Sequence, residues 1–369
     1  MATPIIRIEP MAPNLSPKVP EAPGFGRHFT DRMFTYRYTE ENGWAEPTIG
    51  PYQDLVLNPA AAALHCGQMV FDGTKAYRRP DGDLNLFRVD RNVARLNRSA
   101  ERMGMPPIDE KLQVEAIETL VSLEHRWIPD IEYASLYIRP VVIATEPVLE
   151  VRASREYLHY IIVSPVGPYF PDGFNPVSVY VSHDHVRAVR GGTGEAKTPG
   201  NYAASIAVSE AARGSGCQQV LWLDAVERRY IDEVGAMNIA FVYGDNEIRT
   251  PPLSGAILHG VTRDSVLRMA PDMGFDMHET TMTIDDVWRD IENGAITEAF
   301  GMGTAAVIAP VGRLVYHDCE AALNDGNTGP VARRLYDELT GIQYGRSPDP
   351  YGWTTVVPVV PDEESAVAR

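Results

Sequence analysis

Lys197 is the residue to which chemistry can first be ascribed. It lies in Gly191-Gly-Thr-Gly-Glu-Ala-Lys-Thr-Pro-Gly-Asn-Tyr202, with apolar strand-like sequence before it and a helical pattern after it. Glycines on both sides of a residue allow close backbone approach or positive φ. A lysine partly desolvated in such a place becomes an amine nucleophile, suited to Schiff-base formation with a carbonyl compound. Three other readings compete. A phosphate-cradling P-loop is excluded, because no Ser or Thr follows a Gly-Lys pair. A dinucleotide fingerprint is weak, because Lys197 stands where its third glycine belongs. A glycine-rich surface loop with an incidental lysine stays open.

Further residue patterns bear on a site. In Tyr133-Ala-Ser-Leu-Tyr-Ile-Arg-Pro-Val-Val-Ile143, period-two geometry puts Tyr133, Ser135, Tyr137 and Arg139 on one face of a strand and Ala134, Leu136 and Ile138 on the other. The helical pattern Arg91 to Met103, with Asp90 as its cap and Gly104 as its end, carries Arg91, Arg95, Arg98 and Arg102. Arg91, Arg95 and Arg102 share or neighbour one face, which by itself reads more readily as a solvated basic face. Gly260, Val261 and Thr262 open a helix, where free N–H groups and the dipole favour phosphate. His183 and His185, two apart on a strand, could face a metal but lack a third ligand nearby, so no metal is expected.

These patterns fall in the order of one known family. Lys197 followed by Gly200-Asn201-Tyr202 resembles the cofactor-lysine segment of branched-chain amino acid aminotransferases, the fold-type IV pyridoxal phosphate enzymes. The resemblance extends through His65-Cys-Gly-Gln-Met-Val-Phe71, Arg95-Leu-Asn-Arg-Ser-Ala100, Glu233-Val-Gly-Ala-Met-Asn238, Val261-Thr262 and Glu298-Ala-Phe-Gly-Met-Gly-Thr-Ala305, covering nearly the whole chain. It implies pyridoxal 5'-phosphate as cofactor, with Lys197 as its Schiff-base lysine and the catalytic acid and base. It further implies Arg95, Val261, Thr262 and Thr304 on the phosphate, Tyr202 on the ring oxygen, and Glu233 on the pyridine nitrogen, where a carboxylate keeps the ring an electron sink. Substrate contacts are implied for Phe25, Cys66, Phe71, Tyr137, Arg139, Leu149, Val151, Ala236, Gly303, Thr304 and Ala305. Leu149 and Val151 would reach a neighbour's pocket across a homodimer interface. For Phe25 and Phe71, core packing is the competing reading.

The expected reaction moves an amino group between L-Leu, L-Ile or L-Val, or a β-branched relative such as L-allo-Ile, and 2-oxoglutarate. Alternatives are a D-amino acid transaminase, a lyase of the same fold type, a specialised-pathway aminotransferase, and a non-catalytic binding protein of the same descent. Three departures bear on the choice. Cys66 stands where most members carry a tyrosine, and a thiol is shorter and a weaker donor. Ala236 replaces the usual glycine or threonine at the pocket wall. Ala306-Val-Ile-Ala309 replaces the Cys-x-x-Cys of the animal enzymes, so no redox switch is expected there.

The elements that must position these residues follow from pattern and bulk. A chain of 369 residues accommodates two domains with cores of their own. The fold class expected is α/β (α+β), a fold-type IV arrangement of a small α/β domain and a larger β-barrel-like domain with flanking helices, the cofactor lying in the cleft. The boundaries expected are 1–170 for the small domain with an extended Pro-rich arm over 1–24, 171–181 for a linker, and 182–369 for the large cofactor-binding domain. Hydrophobic content of 44% with 22% charged residues describes an ordinary globular protein. A net charge of −17 disfavours nucleic acid and anionic membrane as partners. Three scattered cysteines make neither a disulfide framework nor a zinc site, and neither a signal-peptide pattern nor a membrane-length apolar run is seen, so a cytoplasmic protein is expected. The segment after Pro361 reads as a polar mobile tail.

Overall fold

The computed structural model describes residues 4–12, 14, 17–169 and 173–359, and the tail expected after Pro361 lies outside them. The chain divides into two compact units, Met1–Tyr169 with Gly341–Arg369, and Phe170–Thr340.

Unit 1 is built on strands β1 (Arg7–Ile8), β2 (Arg32–Thr39), β3 (Gly43–Trp44), β4 (Thr48–Pro51), β5 (Met69–Phe71), β6 (Thr74–Arg78), β7 (Leu84–Phe87), β8 (Ser135–Ala144) and β9 (Glu156–Val166). Helices α1 (Ala62–Cys66), α2 (Val89–Arg102) and α3 (Glu110–Leu123) complete it. The two long apolar runs, β8 and β9, pair antiparallel along their length from Ser135↔Val166 to Ala144↔Tyr157 and form the centre of the sheet. Buried Leu96, Leu112, Leu120, Leu136 and Ile138 join α2, α3 and this sheet in one core.

Unit 2 carries β10 (Val177–Ser182), β11 (Gln219–Leu223), β12 (Ile231–Val234), β13 (Asn238–Tyr243), β14 (Glu247–Thr250), β15 (Asp276–Glu279), β16 (Ile296–Gly303), β17 (Val307–Tyr316) and β18 (Cys319–Ala322). Its helices are α4 (Pro199–Gly214), α5 (Val261–Asp272) and α6 (Ile284–Glu292), and α7 (Pro330–Gln343) leads out of it. The path β12-β11-β10-β17-β16-β13 returns on itself through an isolated bridge, Val234↔Met237, which gives the sheet its barrel-like curl. β10 and β11 run parallel, and parallel neighbours need a crossover. α4 is that crossover, and the Lys197 loop is the stretch between β10 and α4. The α7 N-terminus is held by buried Glu298, whose carboxylate accepts from Val331 N and Ala332 N, each at 2.9 Å.

Several expectations need correction. Residues from Gly341 onward belong to unit 1 and not to the second domain, because β19 (Thr354–Val357) adds antiparallel to β7. Val177 to Val181, expected as linker, are strand β10. The N-terminal arm contributes β1, parallel to β4, and of this stretch Ile6 packs against the unit 1 core while Ile5 and Ile8 stay exposed. α2 begins at Val89 after Arg88 in left-handed conformation (φ 50°), so Asp90 lies inside the first turn and does not cap it. Tyr133 (φ 59°) sits in the turn before β8 and packs on Tyr344, so it does not share the strand face of Tyr137 and Arg139. His183 lies just beyond β10 with Nε2 3.2 Å from Asp184 Oδ2. No group of three metal-binding side chains occurs among the described residues. No described helix is long and apolar enough to cross a membrane.

Candidate active site

In unit 2 the loop between β10 and α4 is stitched by one side chain. Asn201, buried in the first turn of α4, donates to Thr193 O (2.7 Å) and Ala196 O (2.8 Å) and accepts from Thr193 Oγ1 (2.8 Å). These bonds fix the peptide on the N-terminal side of Lys197, while Pro199 starts the helix on the other. Half-buried Lys197 donates from Nζ to Tyr202 Oη at 3.0 Å. Gly194 permits the loop to lie flat on the 254–258 segment, since a Cβ there would stand 2.3 Å from Ala256 O. Gly194→Ala is therefore expected to displace the Lys197 loop and to weaken cofactor retention by an order of magnitude or more, read by dialysis and cofactor absorbance.

Glu233 is the buried anion of the site. On β12 its Oε1 accepts from Asn238 Nδ2 (3.0 Å) and Leu258 N (3.1 Å), and Asn238 also donates to Leu258 O (3.0 Å). Oε2 lies 2.6 Å from Arg187 Nε, off the line of that N–H, so the contact is an ion pair without an aligned hydrogen bond. Burial pushes the Glu233 carboxyl up, opposed by Arg187, the Leu258 N–H, Lys197 and Arg263. Arg187 itself donates to Gly194 O (3.3 Å) and to Ala256 O, joining the glutamate to the lysine loop.

The segment after Leu258 turns into α5 at Gly260. No side chain caps this helix, and a Cβ on Gly260 would stand 1.9 Å from Asn238 Oδ1. Val261 and Thr262 thus present a buried, uncapped first turn beside the group that holds Glu233. Asn238 pairs in register with Met302 of β16, and β16 runs on through Gly303 into the Thr304-Ala305-Ala306 turn. Val307, which closes that turn, has φ 63°, a left-handed conformation that costs a β-branched residue energy and that clusters at functional sites. Ala236 lies exposed between Gly235 and Met237.

Unit 1 gathers a second group of the expected residues. Arg139 donates to Tyr137 Oη (2.9 Å) and lies over the Phe71 ring at 4.8 Å, while Phe25 meets Tyr137 edge-on at 4.7 Å. Phe25 is 47% exposed, which rules out core packing as its reason for being aromatic. Gly73 makes room for Tyr137, since a Cβ there would fall 2.0 Å from its hydroxyl. Arg95 faces inward, with exposed Arg91, Arg98 and Arg102 elsewhere on α2. Its guanidinium holds Asp72 bidentately, Nε to Oδ2 at 2.8 Å and Nη2 to Oδ1 at 2.7 Å. Cys66, Leu149 and Val151 are exposed.

The unit 2 residues fit pyridoxal phosphate in kind. A lysine amine with a phenol beside it suits the aldehyde and ring oxygen, a buried carboxylate suits a pyridinium nitrogen, and an uncapped helix start suits a phosphate dianion. Arg187 and Asn201 were missed from the sequence. Arg187 differs from Arg190 nearby only in what it meets after folding, and Asn201 was visible solely as part of the Gly-Asn-Tyr motif.

Known proteins resemble this chain over most of its length. The family model for amino-transferase class IV matches residues 69–314. The chain is 50% identical over 339 residues to branched-chain-amino-acid transaminase 1 of Bacillus subtilis, covering 92% of this chain and 95% of the relative. It is 49% identical to a probable branched-chain-amino-acid aminotransferase of Streptomyces coelicolor, covering 96% and 99%. Among solved structures, the branched-chain amino acid aminotransferase of Escherichia coli superposes with a TM-score of 0.74 at 26% identity, covering 89% of this chain and 100% of that one. The T.th. branched-chain amino acid aminotransferase, solved with pyridoxamine 5'-phosphate, gives 0.74 at 28%, covering 89% and 99%.

Proposed function

From the premise that this chain belongs to the class IV aminotransferases, a fold-type IV family that uses pyridoxal phosphate, we propose that it is a branched-chain amino acid transaminase acting on L-Leu, L-Ile and L-Val with 2-oxoglutarate as acceptor. The observation that carries the reading is the Glu233 carboxylate, buried and held by Asn238 and Leu258 N in the same unit as the Lys197–Tyr202 pair. When bound, the cofactor supplies a conjugated cationic ring that accepts the electrons released at the substrate Cα.

The protein's own residues do the rest. Glu233, as an anion held by two donors and Arg187, keeps a proton on a ring nitrogen placed against it. Lys197 Nζ would take the proton from the substrate Cα as base and, as acid, return it two bonds away, on the far side of the amino nitrogen. Tyr202 Oη, within hydrogen-bond distance of Nζ, orients that amine. The first turn of α5 at Val261 and Thr262, with Thr304 and Arg95, is assigned to the phosphate, and the Gly303, Thr304 and Ala305 turn to the substrate carboxylate. Phe25, Phe71, Tyr137 and Arg139 are assigned to the substrate side chain, with Cys66 and Ala236 as the positions that adjust its shape.

A homodimer in the cytoplasm belongs to the same proposal. It is supported by Leu149 and Val151, which lie 67% and 92% exposed in the single chain, and by free Cys66, Cys217 and Cys319. Sedimentation would report the dimer. The substrate is tested by adding L-Ile, L-allo-Ile, L-Leu, L-Val, L-Phe, L-Glu and D-Ala separately, without acceptor, and following the cofactor band. L-aliphatic amino acids and L-Glu are expected to bleach it and yield stoichiometric 2-oxo acid. A band that answers to D-Ala alone would replace this reading with a D-amino acid transaminase.

A further inference from the structure

A cavity of about 420 Å³ opens in unit 2 beside β12, lined by Asp232 and not by Glu233. Successive residues of a strand point to opposite faces, so β12 presents one carboxylate to the Lys197 site and its neighbour to this cavity. Lys197, Tyr202, Thr262 and Thr304 are absent from its lining as well. Pro251, Leu253 and Ile257 supply apolar wall, and the volume suits a small organic molecule.

Two opposite charges line this cavity without partners among the described residues. Asp232 is only 8% exposed, yet it makes no hydrogen bond or ion pair with any of them. Arg190, exposed at the other side, likewise makes none, and the two feel each other electrostatically from beyond ion-pair distance. Asp224 also borders the cavity, but its carboxylate is spent on the backbone N–H groups of Val226, Glu227, Arg229 and Tyr230 at 2.8–3.0 Å. Glu227 stands exposed at the rim. A buried carboxylate left unpaired is costly, and the cost is offset when a cation arrives from outside.

We propose that this cavity binds a small aliphatic zwitterion, such as a free α-amino acid, with its ammonium on Asp232, its carboxylate on Arg190 and its carbon body against Pro251, Leu253 and Ile257. The site is distinct from the one at Lys197 and does not depend on the reaction assigned there. Burial and adjacent Glu233 push Asp232 up to about 7, with Asp224 adding to the rise and Arg187 and Arg190 opposing it. Affinity for the zwitterion should therefore strengthen as pH rises through about 7, where Asp232 ionises.

The probe is N,N-dimethyl-L-valine, a tertiary amine that keeps one ammonium N–H and the carboxylate but cannot form a Schiff base. Titration calorimetry on the cofactor-loaded protein is expected to show one saturable event. Asp232→Asn and Arg190→Gln should each weaken it about tenfold, the loss of one charge-assisted hydrogen bond. N,N-dimethylisobutylamine, which lacks the carboxylate, should bind about tenfold more weakly and be indifferent to Arg190→Gln. Absence of saturable binding to the unaltered protein overturns the proposal, as does unchanged affinity in Arg190→Gln or in an Asp232→Asn protein that keeps its cofactor band. Should Asp232→Asn fail to fold, Arg190→Gln decides alone, since that exposed side chain makes no contact on which folding depends.

Discussion

Transamination of L-leucine by Lys197→Ala is expected to fall by about 10⁴-fold or more, with the protein still folded and still able to retain cofactor non-covalently. The size follows from two losses at one atom. Nζ is the amine of the Lys197–Tyr202 pair, so under the proposed mechanism its removal would take away both the covalent anchor and the group that carries the proton from the substrate Cα. Positioned acid–base catalysis alone contributes roughly 10²–10⁴-fold. A phosphate held at the α5 N-terminus, as proposed, would not depend on the lysine, so cofactor affinity should drop far less than turnover. Single-turnover absorbance with L-leucine measures the first quantity and equilibrium dialysis the second. Added methylamine should restore part of the rate. Turnover within tenfold of the parent protein would remove Lys197 from the mechanism.

The largest expected effect on stability is at Asp72. Asp72→Asn strips the buried Arg95 guanidinium of a bidentate partner in which both side chains are at most 5% exposed. Breaking a buried pair by removing one member costs about 3–5 kcal/mol, because the remaining charge stays desolvated. For a unit of this size each kcal/mol lowers Tm by about 2–4 °C, so a fall of roughly 6–20 °C is expected in calorimetry. Asn92, which also donates to Asp72 Oδ1, can donate to an amide oxygen as well, so loss of that bond is not part of the effect. The double variant Asp72→Asn/Arg95→Met should recover much of the stability, since replacing both partners of a buried pair is often neutral. A Tm unchanged in the single variant would show that the pair is solvated in solution.

The strand Ser135–Ala144 and the helix Val89–Arg102 were readable, to within two residues at each end, because alternation and helical periodicity are written within a few residues of each other. Lys197 and Tyr202 were readable for the same reason, being five apart in one glycine-flanked segment. Arg187 was not. Its identity as the partner of Glu233 depends on a contact spanning the whole crossover from β10 through α4 and β11 to β12. Arg190, three residues on, has the same side chain and ends exposed at a cavity, across from Asp232.

Motifs in their order along the chain, through their resemblance to known enzymes, pointed to the family and its cofactor, and they nominated Lys197 for the proposed catalytic role. They did so because catalytic segments hold their groups within one loop or one turn, where order along the chain is nearly order in space. Tertiary structure alone decided that Arg95 answers to Asp72, that the chain after Gly341 returns to the first unit through β19, and that Asp232 and Glu233 serve opposite faces of one strand. Each of these depends on which distant surface a side chain or strand edge is pressed against once apolar burial has chosen the packing. A charge in a sequence has no partner until folding supplies one.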